Sequence, residues 1–456
     1  MSDIVYSSTN LKAPKVSFGE ALLKGLAPDG GLYMPEKIPQ LSTAEIRAFS
    51  NMDYHEIAAK VLSQYLHDAI PDEKLAEMTK AAYNFAVPLE QVYDKKYILR
   101  LDQGPTASFK DFAARMMGQL MQYFLDKKNK NLLILTATSG DTGSAMANAF
   151  YGLHHINVCV LFPETEVTER QRKQMTTLHD NIQILALDGK FDDCQALVKD
   201  AFNDADLNYL NLSSANSINI GRLLPQSVYY FWAYSRLCNI EKNDEIVFSV
   251  PSGNFGDLMG GLIAKKMGLP VKKFVVATNA NDEVPVYFAT GNYKTIVPSK
   301  ACVSSAMNVG HPSNMARIVA LYGGVMNPQG EILELPNLDK MKDDMFAVSV
   351  DDETTRKTIK RVYERHKVLL EPHGAVGWEG LRKFMNQDSK TAAEQQACAC
   401  LETAHPAKFP EEIQHVLGID PELPPSLSKL DHKEEKYDKI GTDYKGFKKY
   451  LTNRYK

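Results

Sequence analysis

Over residues 54–66 and 71–83 apolar positions return at helical spacing, and shorter stretches of the same kind occupy 18–25 and 43–49. The two short stretches flank the turn-rich string Ala27-Pro-Asp-Gly-Gly-Leu-Tyr-Met-Pro35, so the first 90 residues predict short helices around a tight turn. From residue 98 the pattern changes. Apolar, β-rich runs at 132–136, 158–162 and 182–187 alternate with helical patterns at 144–153, 168–178 and 192–203. The alternation resumes with a strand at 245–250, a helix at 257–267 and a strand at 273–277. Runs that are apolar on both faces, separated by helices, predict parallel sheets covered on each side. The chain therefore reads as α/β, with two parallel-sheet domains at 91–240 and 241–410. A helical N-terminal region, 1–90, precedes them and a C-terminal tail, 411–456, follows. Residues 433–456 are rich in lysine with interspersed acids and tyrosines, which predicts a solvated terminal helix.

Composition narrows the partners. The 456 residues are 44% hydrophobic with a formal net charge of −4, so no global basic field favours nucleic acid. No apolar run approaches the ~18 residues of a membrane span. Residues 1–9 are polar and include an acid, without the apolar core of a signal peptide or the arginines of a transit peptide. The six cysteines are scattered through apolar or helical context, and Cys398-Ala-Cys400 lacks the two-residue spacer of common zinc and thioredoxin pairs. Reduced core thiols and a cytoplasmic location are expected. No histidine pair has metal-ligand spacing.

The candidate chemistry starts at Lys110, in Gly104-Pro-Thr-Ala-Ser-Phe-Lys-Asp-Phe. The flanking rings of Phe109 and Phe112 predict a desolvated amine, and desolvation lowers a lysine's pKa as a nucleophile requires. Two glycine-rich turns follow, each after a strand pattern and before a helical one: Ala137-Thr-Ser-Gly-Asp-Thr-Gly-Ser144 and Pro251-Ser-Gly-Asn-Phe-Gly256. The second suits a phosphate, because a helix start offers unpaired N–H groups and glycines let the backbone approach closely. It lacks the Gly-Lys-Ser/Thr of a nucleotide loop, and neither turn has the Gly-x-Gly-x-x-Gly of a dinucleotide site. The first turn, with hydroxyls at Ser139 and Thr142, suits a carboxylate; an ordinary capped helix start is its plain alternative. An amine able to form a Schiff base, placed before two anion-holding loops, is the equipment of a pyridoxal-phosphate enzyme. His373 and His405 stand in proline-containing turns and are expected to make structural hydrogen bonds. Asp351-Asp352-Glu353 reads as a helix start.

With those segments in view, the chain resembles the threonine synthases of the longer type, within the tryptophan synthase β-like (fold type II) group of pyridoxal-phosphate enzymes. The resemblance spans roughly residues 16–413. It rests on Val16-Ser-Phe-Gly-Glu-Ala21, Asp29-Gly-Gly-Leu-Tyr33, Gly104-Pro-Thr with Phe109-Lys-Asp, both glycine turns, Asn216-Ser-Ile-Asn219 and Thr403-Ala-His-Pro-Ala-Lys-Phe409. The glycine turns fit the whole group. The N-terminal block and the Thr403–Phe409 string are specific to threonine synthases. The resemblance implies a tryptophan synthase β-like fold, pyridoxal 5′-phosphate as cofactor and O-phospho-L-homoserine as substrate. It makes Lys110 the Schiff-base lysine, and Ser252, Gly253, Asn254, Phe255 and Gly256 the cup for the cofactor phosphate. Thr403 would face the pyridine nitrogen, and Asp141 would stand near the cofactor's 3′ oxygen, where many relatives carry asparagine. Ser139 and Thr142 would receive the substrate carboxylate, and Asn216, Ser217, Asn219 and Arg222 its phosphate; an exposed structural arginine at a polar strand end is the alternative for this cluster. The protein is expected to work as a monomer or homodimer, without a membrane or nucleic-acid partner. A dehydratase or phospholyase, and a silent cofactor-binding protein, are the rival readings.

Overall fold

The computed structural model describes residues 4–138, 140–165, 167–387, 394–430 and 432–455. At the N-terminus, strand Tyr6–Ser8 pairs antiparallel with Tyr33–Pro35. One carboxylate closes the turn between them: Asp29 accepts from the Ser8 hydroxyl at 2.7 Å and from the backbone N–H groups of Lys12, Ala13 and Gly31 at 2.8–3.0 Å. Capping boxes at Ser17/Glu20 and Ser42/Glu45 start the helices Phe18–Lys24 and Thr43–Ala48, and Tyr54–Leu66 and Asp72–Ala82 follow.

Two sheets carry the rest. The six-stranded sheet runs in the order Met345–Ser349, Val271–Thr278, Ile246–Pro251, Ala397–Glu402, Lys96–Arg100, Leu89–Tyr93. All its pairs are parallel except the last, an antiparallel hairpin. The five-stranded sheet is parallel throughout, in the order Asp438–Ile440, Ile182–Leu187, Ile156–Pro163, Leu132–Ala137, Leu212–Ser213. Buried helices lie between and around the sheets. Lys110–Lys128 packs on Asp141–Phe150, and Pro372–Met385 lies across the strands Val271–Thr278, Ile246–Pro251 and Ala397–Glu402.

Residues 411–456 correct the expectation of a tail. Asp438–Ile440 extends the five-stranded sheet alongside Leu185–Leu187, and the helix Tyr444–Arg454 buries Phe447 and Leu451 in the cluster of Leu133, Leu135, Cys194 and Leu197. Three strand residues of largely polar type carry too little periodicity to reveal pairing. The lysines do stay outside: Lys448 pairs with Asp204 and Asp206. Of the cysteines, 159, 194, 398 and 400 are buried, whereas 238 and 302 are only half-buried, and all are free thiols. No helix among the described residues is long and apolar enough to cross a membrane.

Candidate active site

Three adjacent parallel strands, Ile246–Pro251, Ala397–Glu402 and Lys96–Arg100, end on the same side of their sheet. Their exits, residues 252–256, 403–409 and 101–110, are therefore neighbours. Leu132–Ala137 and Leu212–Ser213 deliver 138–143 and 214–219 from the other sheet. Carboxyl ends of parallel strands are where α/β proteins bind ligands, because helix N-termini and loops converge there.

Lys110 begins its helix after a turn held by Asp111, whose carboxylate accepts from the Thr106 N–H at 2.8 Å and the Thr106 hydroxyl at 2.6 Å. Phe109 N–H donates to the Thr403 carbonyl at 2.9 Å, and His405 N–H to the Ala107 carbonyl at 3.0 Å. Those bonds fix Thr403 beside the lysine. The Lys110 amine lies 4.8 Å from the centroid of the Phe109 ring. Phe112 packs into the ring cluster of Tyr54, Tyr83, Phe85 and Tyr229, so it anchors the helix. Burial lowers the pKa of Lys110; the Asp141 carboxylate resists, the charges of Lys408 and Arg222 add to the lowering, and Asp257 resists.

In the loop 252–256, Ser252 N–H donates to the Ala277 carbonyl at 2.8 Å and its hydroxyl to the Val250 carbonyl at 2.9 Å. Phe255 is buried with φ +58°, a left-handed conformation uncommon for a bulky residue, and it launches the helix Gly256–Lys266. A Cβ on Gly253 would stand 2.8 Å from the Ala306 carbonyl oxygen and 3.0 Å from the Met307 Cα. That opposing turn is itself fixed. Ala306 N–H donates to Nε2 of His373, so Nδ1 carries the ring proton and donates to Glu371 at 2.5 Å. The Asn254 carbonyl accepts from Asn314 N–H and Nδ2, and its Oδ1 from Ser313 N–H at 3.4 Å. The first-turn N–H groups of a helix lack intrahelical acceptors, which suits this loop to an anion.

The helix expected from residue 144 begins at Asp141. Thr138 is the reason: its hydroxyl accepts from Gly140 N–H and Gly143 N–H at 3.0 and 2.9 Å, and Gly140 takes φ +136°. Thr142 thus stands in the first helical turn; Ser139 lies outside the described residues. Asp141 is buried, accepts from Lys408 Nζ at 2.6 Å and from Gln171 Nε2 at 3.1 Å. Burial alone would raise its pKa, but Lys408 and Lys110 hold it well below the usual carboxylate range.

The Asn216–Asn219 segment divides. Asn216 Oδ1 accepts from the Thr136 hydroxyl at 2.8 Å, and the Ser217 hydroxyl meets that of Ser313 at 2.9 Å. Asn219 corrects the expectation of a phosphate ligand. It is fully buried, its Oδ1 accepts from Gly221 N–H, and its Nδ2 donates to the carbonyls of Leu22 and Ser214. With oxygen and amide engaged in capping, Asn219 holds the segment in place. Arg222 is buried, against the exposed alternative. Nη1 donates to the Ala215 carbonyl at 2.8 Å, Nε has no hydrogen-bond partner, and burial moves the guanidinium pKa down to about 10.

Four side chains at the site escaped the sequence reading. Lys408 is one. Asp257, behind the phosphate loop, is pushed by burial up to about 7. Glu371 caps the helix Pro372–Met385, receives His373, and accepts from the Thr403 hydroxyl at 3.4 Å. Arg317, fully buried, donates to the carbonyls of Tyr33, Ser217 and Ile218 and to Asn314 Oδ1, joining the N-terminal region to the 216–219 segment and, through Asn314, to Asn254. A single arginine inside Met315-Ala-Arg-Ile-Val-Ala-Leu321, and a lysine between Ala407 and Phe409, were the available signals. His405 behaves as expected, its Nδ1 accepting from Ala407 N–H.

The residues fit pyridoxal phosphate. A glycine pressed against backbone leaves a cradle that a side chain would fill, the N–H groups of a helix start are placed to receive an anion, and a desolvated amine and a hydroxyl lie on paired strand exits. Comparison with known proteins agrees. The family described as "Threonine synthase N terminus" matches residues 5–83, "Pyridoxal-phosphate dependent enzyme" residues 88–401, and "Threonine synthase, C-terminal" residues 374–451. The chain is 41% identical over 447 residues to the threonine synthase of Haemophilus influenzae, covering 97% of this chain and 98% of that protein. Against the Escherichia coli threonine synthase it is 40% identical, covering 96% and 97%. The pyridoxal-phosphate-bound threonine synthase of Brucella melitensis superposes with a TM-score of 0.92 at 34% identity, covering 99% of each chain. A tomato threonine deaminase, at 16% identity and a TM-score of 0.51, shares the fold alone. With full-length identity of this order and an N-terminal block of the synthase type, the chain belongs to the threonine synthase family.

Proposed function

We propose that the chain converts O-phospho-L-homoserine and water into L-threonine and phosphate. The observation that carries the reading is the pairing of 107–109 with 403–405, which sets a desolvated lysine against Thr403 and beside the 252–256 cradle. Pyridoxal 5′-phosphate is the enzyme's cofactor, and when bound it supplies an electron sink for carbanion chemistry on an amino acid. Gly253, Asn254, Phe255 and Gly256 would hold the cofactor phosphate through backbone N–H groups, while Ser252, whose N–H is bound to the Ala277 carbonyl, fixes the start of the loop. Thr403 would present its hydroxyl, 3.4 Å from Glu371, to the ring nitrogen.

Lys110 would hold the cofactor and move protons at the substrate's Cα and Cβ; burial lowers its pKa, the direction such a role needs. Thr142 and Ser139 hold the substrate carboxylate. Asn216, Ser217 and Arg222 hold its phosphate until it leaves from Cγ, and the unpartnered Nε of a buried guanidinium is the donor such an anion needs. A proton delivered to Cγ gives the methyl group, water adds at Cβ, and a proton returned to Cα completes threonine. The division into 1–90, 91–240, 241–410 and 411–456, with a cytoplasmic monomer or homodimer acting on a small molecule, completes the reading.

The test joins position and product. Borohydride reduction followed by peptide mapping is expected to place the cofactor on Lys110, and Lys110→Ala to lose both linkage and turnover. Incubation with O-phosphohomoserine is expected to give threonine. An adduct on another lysine overturns the site, and 2-oxobutyrate without threonine overturns the reaction.

A further inference from the structure

The side chain of Lys408 has 0% exposure, and its ammonium joins three chain segments. It donates to Asp141 Oδ1 at 2.6 Å, at the start of the helix from the five-stranded sheet, and to the Thr106 carbonyl at 2.9 Å, in the turn that carries Lys110. It comes itself from the strand exit that supplies Thr403. The same Thr106 carbonyl accepts from Gln174 Nε2 at 3.0 Å, so the position of the ammonium is tightly determined. A buried ion pair of this kind is weak as a stability device, since apolar residues of similar volume often serve as well. Its consequence here is electrostatic. Lys110 is faced by Asp141 and Asp257 and by Lys408 and Arg222, drawn from four different elements. Lys408 and Lys110 compete for one carboxylate. Lys408 pairs with Oδ1 of Asp141 directly, beside Gln171 Nε2 on the same oxygen, and so offsets the carboxylate's charge toward Lys110. Without Lys408, a buried carboxylate would draw a proton onto the Lys110 nitrogen, and a protonated amine is not a nucleophile.

We propose that Lys408 is a positioning residue whose ion pair with Asp141 offsets that carboxylate, so that the Lys110 amine stays free to bond to the cofactor. The inference rests on Lys110 being the cofactor-linked lysine, and the experiment separates the two. The full chain is stripped of cofactor, pyridoxal phosphate is added at a series of pH values, and the product is trapped with borohydride and located by peptide mass. Lys408→Met is expected to slow capture by Lys110 near neutral pH on the order of tenfold and to move the pH midpoint of capture upward. Asp141→Asn removes the negative charge and leaves Lys408, so its midpoint is expected to move downward. The double variant is expected to return toward wild type, and Lys408→Arg to keep the wild-type profile. A purely structural role would shift both single variants in the same direction or leave both midpoints in place, and either result overturns the proposal. Should Lys408→Met fail to fold, Lys408→Gln is expected to show the same upward shift, and an unmoved midpoint in that variant overturns the proposal. Trapped cofactor on a residue other than Lys110 overturns the site assignment instead.

Discussion

Gly253→Ala is a one-methyl test of the proposed phosphate cradle. The added Cβ would meet the Ala306 carbonyl oxygen at 2.8 Å and the Met307 Cα at 3.0 Å, both backbone atoms. The turn bearing them has little freedom, because Met307 N–H donates to Ser304 and Ala306 N–H to His373, itself held by Glu371. Overpacking against atoms that cannot rotate away costs about 1–3 kcal/mol. If the loop relaxes away from the turn when empty and must return to wrap the phosphate, the strain appears as weaker cofactor binding, about 5- to 150-fold in Kd. If it cannot relax, the same strain lowers folding stability. One readout or the other must move, so cofactor affinity by spectroscopic titration and unfolding by denaturant are measured together. Gly256→Ala is the control for stability, since its Cβ would meet only the side-chain amides of Gln226 at 3.4 Å and Asn314 at 3.7 Å. Wild-type affinity together with wild-type stability in Gly253→Ala would refute the reasoning.

Arg222→Met, which keeps most of the volume, is expected to leave the cofactor spectrum intact and raise KM for O-phosphohomoserine on the order of 10–100-fold, the loss of one charge-assisted contact; an unchanged KM places the substrate phosphate elsewhere. Asp257 gives a pH signature: its folded pKa of about 7 lies above the ordinary 3.8, so the folded protein holds an extra proton between those values and loses stability as pH rises through the window. Asp257→Asn removes that dependence, so its stability relative to wild type is expected to improve by about 2–3 kcal/mol between pH 5 and pH 8 in denaturant unfolding, and a constant difference counts against the burial argument.

Much of this protein was legible in one dimension. Buried parallel strands announce themselves as continuous apolar runs, and those at 132–137, 182–187 and 246–251 lie within a residue or two of the pattern. The burial of Lys110 and the tight turn at 252–256 were legible because local chemistry demands them: rings beside an amine, and glycine where backbone must come close. The edge strands Leu89–Tyr93 and Asp438–Ile440 were not, since an edge needs no second apolar face. Nor was the start of the helix at Asp141, which a hydroxyl cap three residues upstream decided.

The remainder of the site depended on which distant segments the sheets bring together. Asn219 and Arg222 are near neighbours in sequence, yet one is engaged in capping and the other keeps an unpartnered donor. Lys408 and Asp141 are 267 positions apart in the chain and 2.6 Å apart in space. Sequence alone determines the kinds of groups available, because side-chain chemistry and hydrophobic period are local. Which carboxylate neutralises which ammonium is decided only by strand order, because a buried charge is paired by whatever the fold places next to it.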